Sequence, residues 1–292
     1  MKEIRWNDRY KIGIAEIDKA HQRLFSIVGK LLMLNEDEEK SKFACAEGIK
    51  FFKSYTIKHF EEEEAYMKSI DYGEYETHKK LHDNMRDKTI PALENDLEKS
   101  EYSMEAVQHF LGICLGWLNC HIMIEDRAIT GKAVSRWVHN PAEEEVVNLE
   151  NVVIQGMKEV FDVNLWVVSE KYKGEDFGNG IYYRLNYVSQ KGKKVQIVLA
   201  FEEQLILNTI GQTLDVQVKK VTKMTVDATK EFAQLLMHRI GQHFQSQEKY
   251  ELVKDNVLND EQYRKMFLDR YPDYPLLFDT GKGYFAFCVT AR

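Results

Sequence analysis

The feature that most constrains this chain is a set of histidines and carboxylates in its first half, spaced to meet inside a helical protein. The set consists of His21, His59 with Glu63, His78 with His82, and His121 with Asp126. Residues four apart on a helix share a face, so such a pair directs two side chains at one point. Imidazole and carboxylate together suit iron, manganese or zinc. These seven donors are too many for one ion and are about right for two ions with bridging carboxylates.

A helical bundle is the fold that this spacing requires. One pair of histidines four apart is weak evidence, because such pairs arise by chance, but here four helical segments each supply donors. Apolar residues recur at helical spacing over residues 17–35, 41–70, 74–88 and 104–130. The short connections favour an antiparallel four-helix bundle with inward ligands. Pro91 is predicted to kink the third helix or to begin a turn.

A run of four acids, Glu61–Glu64, follows His59. Only one or two of them can face the core of a bundle. Glu63 lies four residues after His59 and is the predicted ligand. The other acids are predicted to form a solvated face.

These segments resemble the hemerythrin family. The resemblance covers residues 1–137, and the matching stretches are WNDRYKIGIAEIDKAHQRLF, KHFEEEEAYM with HKKLH, and WLNCHIMIED. It implies two non-haem iron ions (Fe2+/Fe3+) with an oxo or hydroxo bridge, and O2 or peroxide as their ligand.

The resemblance also implies how the donors divide between the two ions. His78, His82 and His121 hold one iron, His21 and His59 hold the other and leave an open position, and Glu63 and Asp126 bridge. Phe25 and Ile122 are predicted to line the O2 pocket. Asn119 stands where the family usually has an apolar residue, and it is a candidate hydrogen-bond donor to the bound ligand.

Composition limits the classes of protein to which the chain can belong. A length of 292 residues favours two domains, and a net charge of -7 argues against nucleic acid or an anionic membrane as partner. No apolar run reaches the length of a membrane span, and the N-terminal segment lacks an apolar signal sequence. The four cysteines show no Cys-x-x-Cys spacing. We therefore expect reduced thiols and a cytoplasmic protein.

The pattern changes near residues 138–145, where Pro141 precedes three glutamates. We place the domains at residues 1–138 and 145–292. Helices are predicted at 143–161, 202–210 and 226–244, and strands at 163–168, 182–188, 194–201, 276–278 and 284–290. This order of helices and strands indicates an α+β domain.

The second half resembles the CheC/CheX-like chemotaxis phosphatases, on its order of elements and on the segment DATKEFAQLLMHRIGQHF. The family's motif is Glu-x-x-Asn, and here Glu231 and Gln234 occupy the two positions. The resemblance implies a phosphorylated CheY-like response regulator as partner, with the amide positioning the attacking water and the glutamate contacting the regulator's lysine. Gln234 keeps the amide but adds a methylene. A homodimer through this domain is also predicted.

Three functions compete on this reading. The first is a cytoplasmic O2, redox or peroxide sensor whose diiron bundle regulates a phosphatase-like domain that acts on, or only binds, a response regulator. The second is a diiron peroxidase or oxygen-reducing enzyme that dimerises through its C-terminal domain. The third is an O2 storage or carrier protein.

Overall fold

The computed structural model describes residues 8–34, 41–133, 149–214, 217–243 and 250–291. The predicted boundary at 138–145 and the first residues of the hemerythrin-like stretch lie outside the described residues. The chain forms two compact units, a helical unit of Met1–His139 with Gly211–Glu231 and a sheet unit of Asn140–Ile210 with Phe232–Arg292. The predicted domain ranges stay a prediction, and the sequence pattern gives no sign that residues 211–231 belong to the helical unit.

The helical unit is built from amphipathic helices whose apolar faces form its core. These helices are α1 (Ala15–Leu34), α2 (Ser41–Ser69), α3 (Tyr75–Asn84), α4 (Ile90–Lys99), α5 (Met104–Cys120) and α6 (Arg127–Ile129). Ser103 caps α5 by accepting a hydrogen bond from the Ala106 N–H. The buried Asp18 carboxylate accepts from the backbone N–H groups of Ile12 and Gly13, at 2.8 and 3.1 Å, and so fixes the chain where it enters α1.

Two π-helical segments interrupt these helices, Met85–Thr89 between α3 and α4 and His121–Asp126 between α5 and α6. The first lies just before Pro91. There the Ile90 N–H bonds back to the Met85 carbonyl, five residues earlier, and the chain continues as helix to Lys99. The predicted helix over 74–88 was therefore too short. Pro91 begins the next helical stretch, near its N-terminus where a missing N–H is tolerated.

The helix over Met104–Ile129 is long and apolar enough, by length and composition, to cross a membrane. Most of its apolar window is buried inside the protein, as in the core helix of a soluble bundle. No apolar run of that length had been predicted from the sequence. The cytoplasmic assignment stays a prediction.

The sheet unit holds an antiparallel sheet with strand order β1-β5-β6-β3-β2-β4. Its strands are β1 (Trp166–Ser169), β2 (Gly180–Ser189), β3 (Lys194–Glu202), β4 (Tyr250–Leu258), β5 (Tyr274–Asp279) and β6 (Tyr284–Ala291). Its helices are α7 (Leu149–Phe161), α8 (Glu203–Leu214), α9 (Lys223–His243) and α10 (Asp260–Asp269), with α8 and α9 each shared between the two units. A helical N-terminal region and an α+β C-terminal half are therefore confirmed.

Two elements of this unit were not predicted from the sequence. Strand β4 is mostly exposed and lacks the apolar alternation of a half-buried strand. Helix α10 starts with a capping box, in which the Asn259 side chain accepts from the Gln262 N–H and the Gln262 side chain accepts from the Asn259 N–H. That short signal was missed. The homodimer stays a prediction.

Candidate metal centre

Four helical segments bring the predicted donors to one buried place. His21 comes from α1, His59 and Glu63 from α2, His78 and His82 from α3, and His121 and Asp126 from the π segment after α5. Every one of these side chains is buried. On α2 and α3 the spacing of four puts both donors of a pair on one face, as the sequence predicts.

The donors form two overlapping groups, in each of which the donor atoms lie within 4.8 Å of one another. One group is Glu63, His78, His82 and His121, and the other is His21, His59, Glu63 and Asp126. Glu63 belongs to both. Asp126 also spans them, because its Oδ1 lies 3.0 Å from His121 Nε2 while its Oδ2 lies 3.1 Å from His21 Nε2. Both carboxylates thus have the placement of bridging ligands.

Several polar atoms of this cluster lack a hydrogen bond of good geometry. Both carboxylate oxygens of Glu63 and of Asp126, and both ring nitrogens of His21, are buried without such a bond among the described residues, although Asp126 lies close to His121 and His21. Such groups cost free energy unless something else coordinates them. The Nε2 atoms of His78 and His82 also converge on His121 Nε2, at 3.1 and 2.9 Å. Lone pairs aimed at a common point suit a cation between them, so the residues fit a pair of transition ions.

The electrostatics keep two of the imidazoles in the form that binds metal. Burial, with the neighbouring histidines, lowers the pKa of His121 to about 3. Burial and His21 lower the pKa of His59 well below its usual value. Both rings are therefore neutral at pH 7, with a lone pair to donate. Burial and the nearby Asp126 raise the pKa of Glu63 to about 8, a penalty on its charge that bound cations would offset.

The spacing between His121 and Asp126 is five residues, and in an α-helix these side chains would diverge by roughly 140°. The π geometry resolves this, because its hydrogen bonds run from residue i to i+5. The Arg127 N–H, for example, reaches the Ile122 carbonyl. The segment brings both donors to the same side. A spacing of four explains the other pairs but not this one.

Glu64 is a contributor that was not predicted from the sequence. Its Oε1 lies 3.1 Å from His82 Nδ1, on the side of the ring away from the cluster, and its side chain is only 12% exposed. A carboxylate in this position fixes the tautomer of a ligating histidine. The prediction that the acids around Glu63 are solvated holds for Glu61 and Glu62 and is wrong for Glu64. Its spacing gave no signal, because Glu62 lies equally far from Glu63 along the helix and is exposed.

Aromatic rings hold two of the imidazoles in place. Phe60 stacks on His82 with ring centroids 4.0 Å apart, and Trp117 stacks on His121 at 4.2 Å. Packing of this kind restricts ring rotation before any ion binds.

The predicted O2-pocket residues are all buried. The ring of Phe25 lies 4.7 Å from that of Tyr10. Asn119 Oδ1 accepts a hydrogen bond from the Tyr10 hydroxyl at 2.6 Å, and Thr213 Oγ1 lies 3.5 Å away. The assignment of Phe25, Asn119 and Ile122 to an O2 pocket stays a prediction.

The two residues of the predicted phosphatase motif lie in different surroundings on α9. Glu231 is half-buried against α5, where a Cβ on Gly116 would come within 2.7 Å of Glu231 Cβ. Burial and the neighbouring Asp227 raise the pKa of Glu231 to about 7. Gln234, one turn later, is exposed. Their roles as a phosphatase motif stay a prediction.

Comparison with known proteins separates the two halves of the chain. The family described as Hemerythrin HHE cation binding domain matches residues 12–133. A bacteriohemerythrin of Clostridium acetobutylicum is 33% identical over 126 residues, which are 42% of this chain and 95% of that protein. One hemerythrin of Sipunculus nudus is 30% identical over 79 residues, 27% of this chain and 59% of that one.

Among solved structures, the chemotaxis protein CheX of Vibrio vulnificus matches 50% of this chain and 98% of its own, with 11% identity and a TM-score of 0.41. CheX in the CheX–CheY–BeF3–Mg complex of Borrelia burgdorferi matches 49% and 95%, with 6% identity and a TM-score of 0.40.

Proposed function

The chain belongs to the hemerythrin family through its N-terminal half, and we propose that it senses O2 or peroxide at a non-haem diiron centre and controls a response-regulator phosphatase activity in its C-terminal half. The observation that carries the first part is the pair of buried donor groups that share Glu63. The family implies iron as the metal. His78, His82 and His121 would hold one ion, His21 and His59 the other, with Glu63 and Asp126 between them.

His78, His82 and His121 would hold one iron ion and His21 and His59 the other, and the bound pair would supply two electrons for the binding of O2. The protein's own residues set the conditions for that chemistry. The imidazoles would hold the ions, and the stacked rings of Phe60 and Trp117 keep those of His82 and His121 oriented. Burial of every donor keeps bulk water, and with it protons, away from the bound ligand. These conditions would favour reversible binding of O2 over uncontrolled oxidation of the iron pair.

Within the helical unit, α5 packs closely enough on the first half of α9 to transmit a displacement. A Cβ on Gly112 would come within 2.6 Å of the Met224 carbonyl oxygen, so the two helices meet at backbone distance. His109 Nδ1 lies 2.7 Å from the Asp227 carboxylate and ties the same helices together. Close-packed contacts shift as discrete steps rather than deform gradually. Helix α9 then continues to Gln234, which supports the proposed output.

An anaerobic titration tests the sensor. Reduced, iron-loaded protein is titrated with O2 and separately with peroxide while optical absorption is recorded. Dephosphorylation of a CheY-like response regulator, loaded with acetyl phosphate, is then measured in both states. We expect saturable binding near one O2 per iron pair and rates that differ between the states. Equal rates would contradict regulation, and rapid catalytic turnover of peroxide with an electron donor would instead favour a diiron peroxidase.

The coupling has its own test in Gly112→Val. The added side chain must separate α5 from α9, and overpacking of this kind costs about 1–3 kcal/mol. We expect the phosphatase rates of the reduced and oxygenated states to become equal while O2 binding persists. Gly241→Ala is the control, because a Cβ at that position of α9 meets nothing within 4 Å. A Gly112→Val protein that keeps its state-dependent rates would refute this route.

A further inference from the structure

Gln234 lies in a small polar cluster with two side chains that no sequence motif singled out. Its Nε2 donates to the Tyr183 hydroxyl at 3.2 Å and to Asp255 Oδ2 at 3.4 Å. The Tyr183 hydroxyl in turn donates to the Asp255 carboxylate. Gln234 comes from α9, Tyr183 from β2 and Asp255 from β4, and all three belong to the sheet unit. We call these residues the Gln234 triad.

The pairing of β2 with β4 builds the support of this triad. Tyr183 lies opposite Val257, and Asp255 lies two residues along β4 and therefore on the same face of the sheet. Tyr183 is fully buried, so its hydroxyl is held by the packing of its ring. Asp255 and Gln234 are exposed. The triad thus joins a rigid anchor to a surface amide.

The chemistry of the three groups fixes which way the amide points. A carboxylate only accepts hydrogen bonds, so the amide nitrogen of Gln234 must face Asp255. The nitrogen then has both of its hydrogens engaged, one by each partner. Its Oε1 must lie on the opposite side, and no donor among the described residues reaches it. The result is one exposed acceptor with a defined direction.

We propose that Tyr183 and Asp255 are positioning residues that hold Gln234 so that its Oε1 accepts a hydrogen bond from the water that attacks the phosphoaspartate of a bound response regulator. This rests on the phosphatase output proposed above. The water oxygen forms a bond to phosphorus, and the bond between phosphorus and the aspartate oxygen breaks. The aspartate leaves as a carboxylate, one water proton remains on the phosphate product, and the other passes to the solvent.

The triad also explains how the longer side chain can serve in this place. Glutamine has one more rotatable bond than asparagine, and an unrestrained amide would sample several directions. Misplacement by about 1 Å can cost on the order of a hundredfold in rate. Two hydrogen bonds to the amide nitrogen remove that freedom. Gln234→Asn, although it recreates the residue found in the CheC/CheX motif, should therefore lower the rate, because the shorter side chain cannot keep both bonds.

The test measures phosphate release from a CheY-like response regulator phosphorylated with acetyl phosphate, using the full-length protein. Tyr183→Phe and Asp255→Ala should each lower kcat about tenfold with little change in KM, since they disturb orientation rather than docking. Asp255→Asn should recover most of the rate, because its amide oxygen still accepts both hydrogen bonds. Glu251→Ala is the matched control, an exposed carboxylate on the same strand.

The outcomes separate the two proposals. A wild-type protein that never accelerates phosphate release removes the phosphatase output and this inference with it. An active wild type whose Tyr183→Phe and Asp255→Ala variants keep full kcat overturns the triad alone. A rise in KM equal for Asp255→Ala and Glu251→Ala also overturns it, because the strand would then serve only in docking. Asp255 is exposed, so its variants should fold, and their unfolding midpoints report whether they do.

Discussion

The two polar clusters of this molecule are assembled in opposite ways. The candidate metal centre takes its donors mostly in pairs from single helices, all buried, and several of its polar atoms lack a hydrogen bond of good geometry among the described residues. The Gln234 triad takes one residue from each of three elements, has two exposed members and one buried member, and satisfies them mutually except for one outward acceptor. The first cluster has the donors for ions that would complete it. The second is internally hydrogen-bonded and leaves one acceptor for the proposed partner reaction.

The largest expected effect falls on the first cluster alone. His78→Ala removes one of the three imidazoles whose Nε2 atoms converge, and it leaves a gap in the proposed ligand set. We expect iron to fall from two per chain to one or fewer, and the helical unit to lose stability on the order of several kcal/mol. Elemental analysis after anaerobic iron loading measures the first effect, and thermal unfolding the second.

Gln234→Ala provides the matching change in the second cluster. It should leave the iron content and the optical spectrum of the loaded protein unchanged, because the triad shares no residue with the metal centre. If the His78→Ala protein keeps two irons per chain, the proposed ligand set is wrong. If Gln234→Ala lowers the iron content, the two clusters are not independent.

This contrast also decides what the sequence could predict. Donors at positions i and i+4 are predicted from the sequence alone to share a helix face. The pairing of His59 with Glu63 and of His78 with His82 could therefore be predicted. The pair His121–Asp126 required a π segment, which helical spacing does not predict. Tyr183 and Asp255 lie 72 positions apart. Their contact depends on strand β4, which was not predicted because most of its residues are exposed and show no apolar alternation. Long-range pairing of this kind leaves no periodic signal.

A smaller effect tests whether the metal centre depends on groups beyond its ligands. Glu64→Ala removes the carboxylate beside His82 Nδ1, which orients that ring and increases its basicity. We expect both irons to bind, with affinity lowered about 10–100-fold. Competition with a chelator of known affinity measures this change. Glu61→Ala, an exposed member of the same acidic run, should leave the affinity unaltered, and equal losses in both variants would show only a general charge effect.

The smallest effect concerns Glu231, which the predicted phosphatase motif pairs with Gln234 but which lies in the helical unit. Its pKa is raised from 4.5 to about 7, mainly by burial. Between about pH 4.5 and 7, the folded state therefore keeps a proton on Glu231 that the unfolded state has lost. The unfolding free energy falls as the pH rises through this range. Glu231→Gln cannot ionise, so it should gain about 1–3 kcal/mol over wild type at pH 8 and nothing at pH 4.

Asp227, one turn earlier on α9, supplies the opposite case. Although burial opposes it, hydrogen bonds from His109, Lys230 and Lys223 lower the pKa of Asp227 to about 2. Its stabilising contribution is present above pH 3.8 and is lost as pH falls toward 2. Asp227→Asn should therefore destabilise the protein at pH 8, where Glu231→Gln stabilises it. Urea unfolding from pH 3 to 8 measures the stability of both variants. If the unfolding free energies of Glu231→Gln and wild type differ by the same amount at every pH, burial does not raise the pKa of Glu231. The carboxylate would then remain ionised and able to contact a regulator beside Gln234.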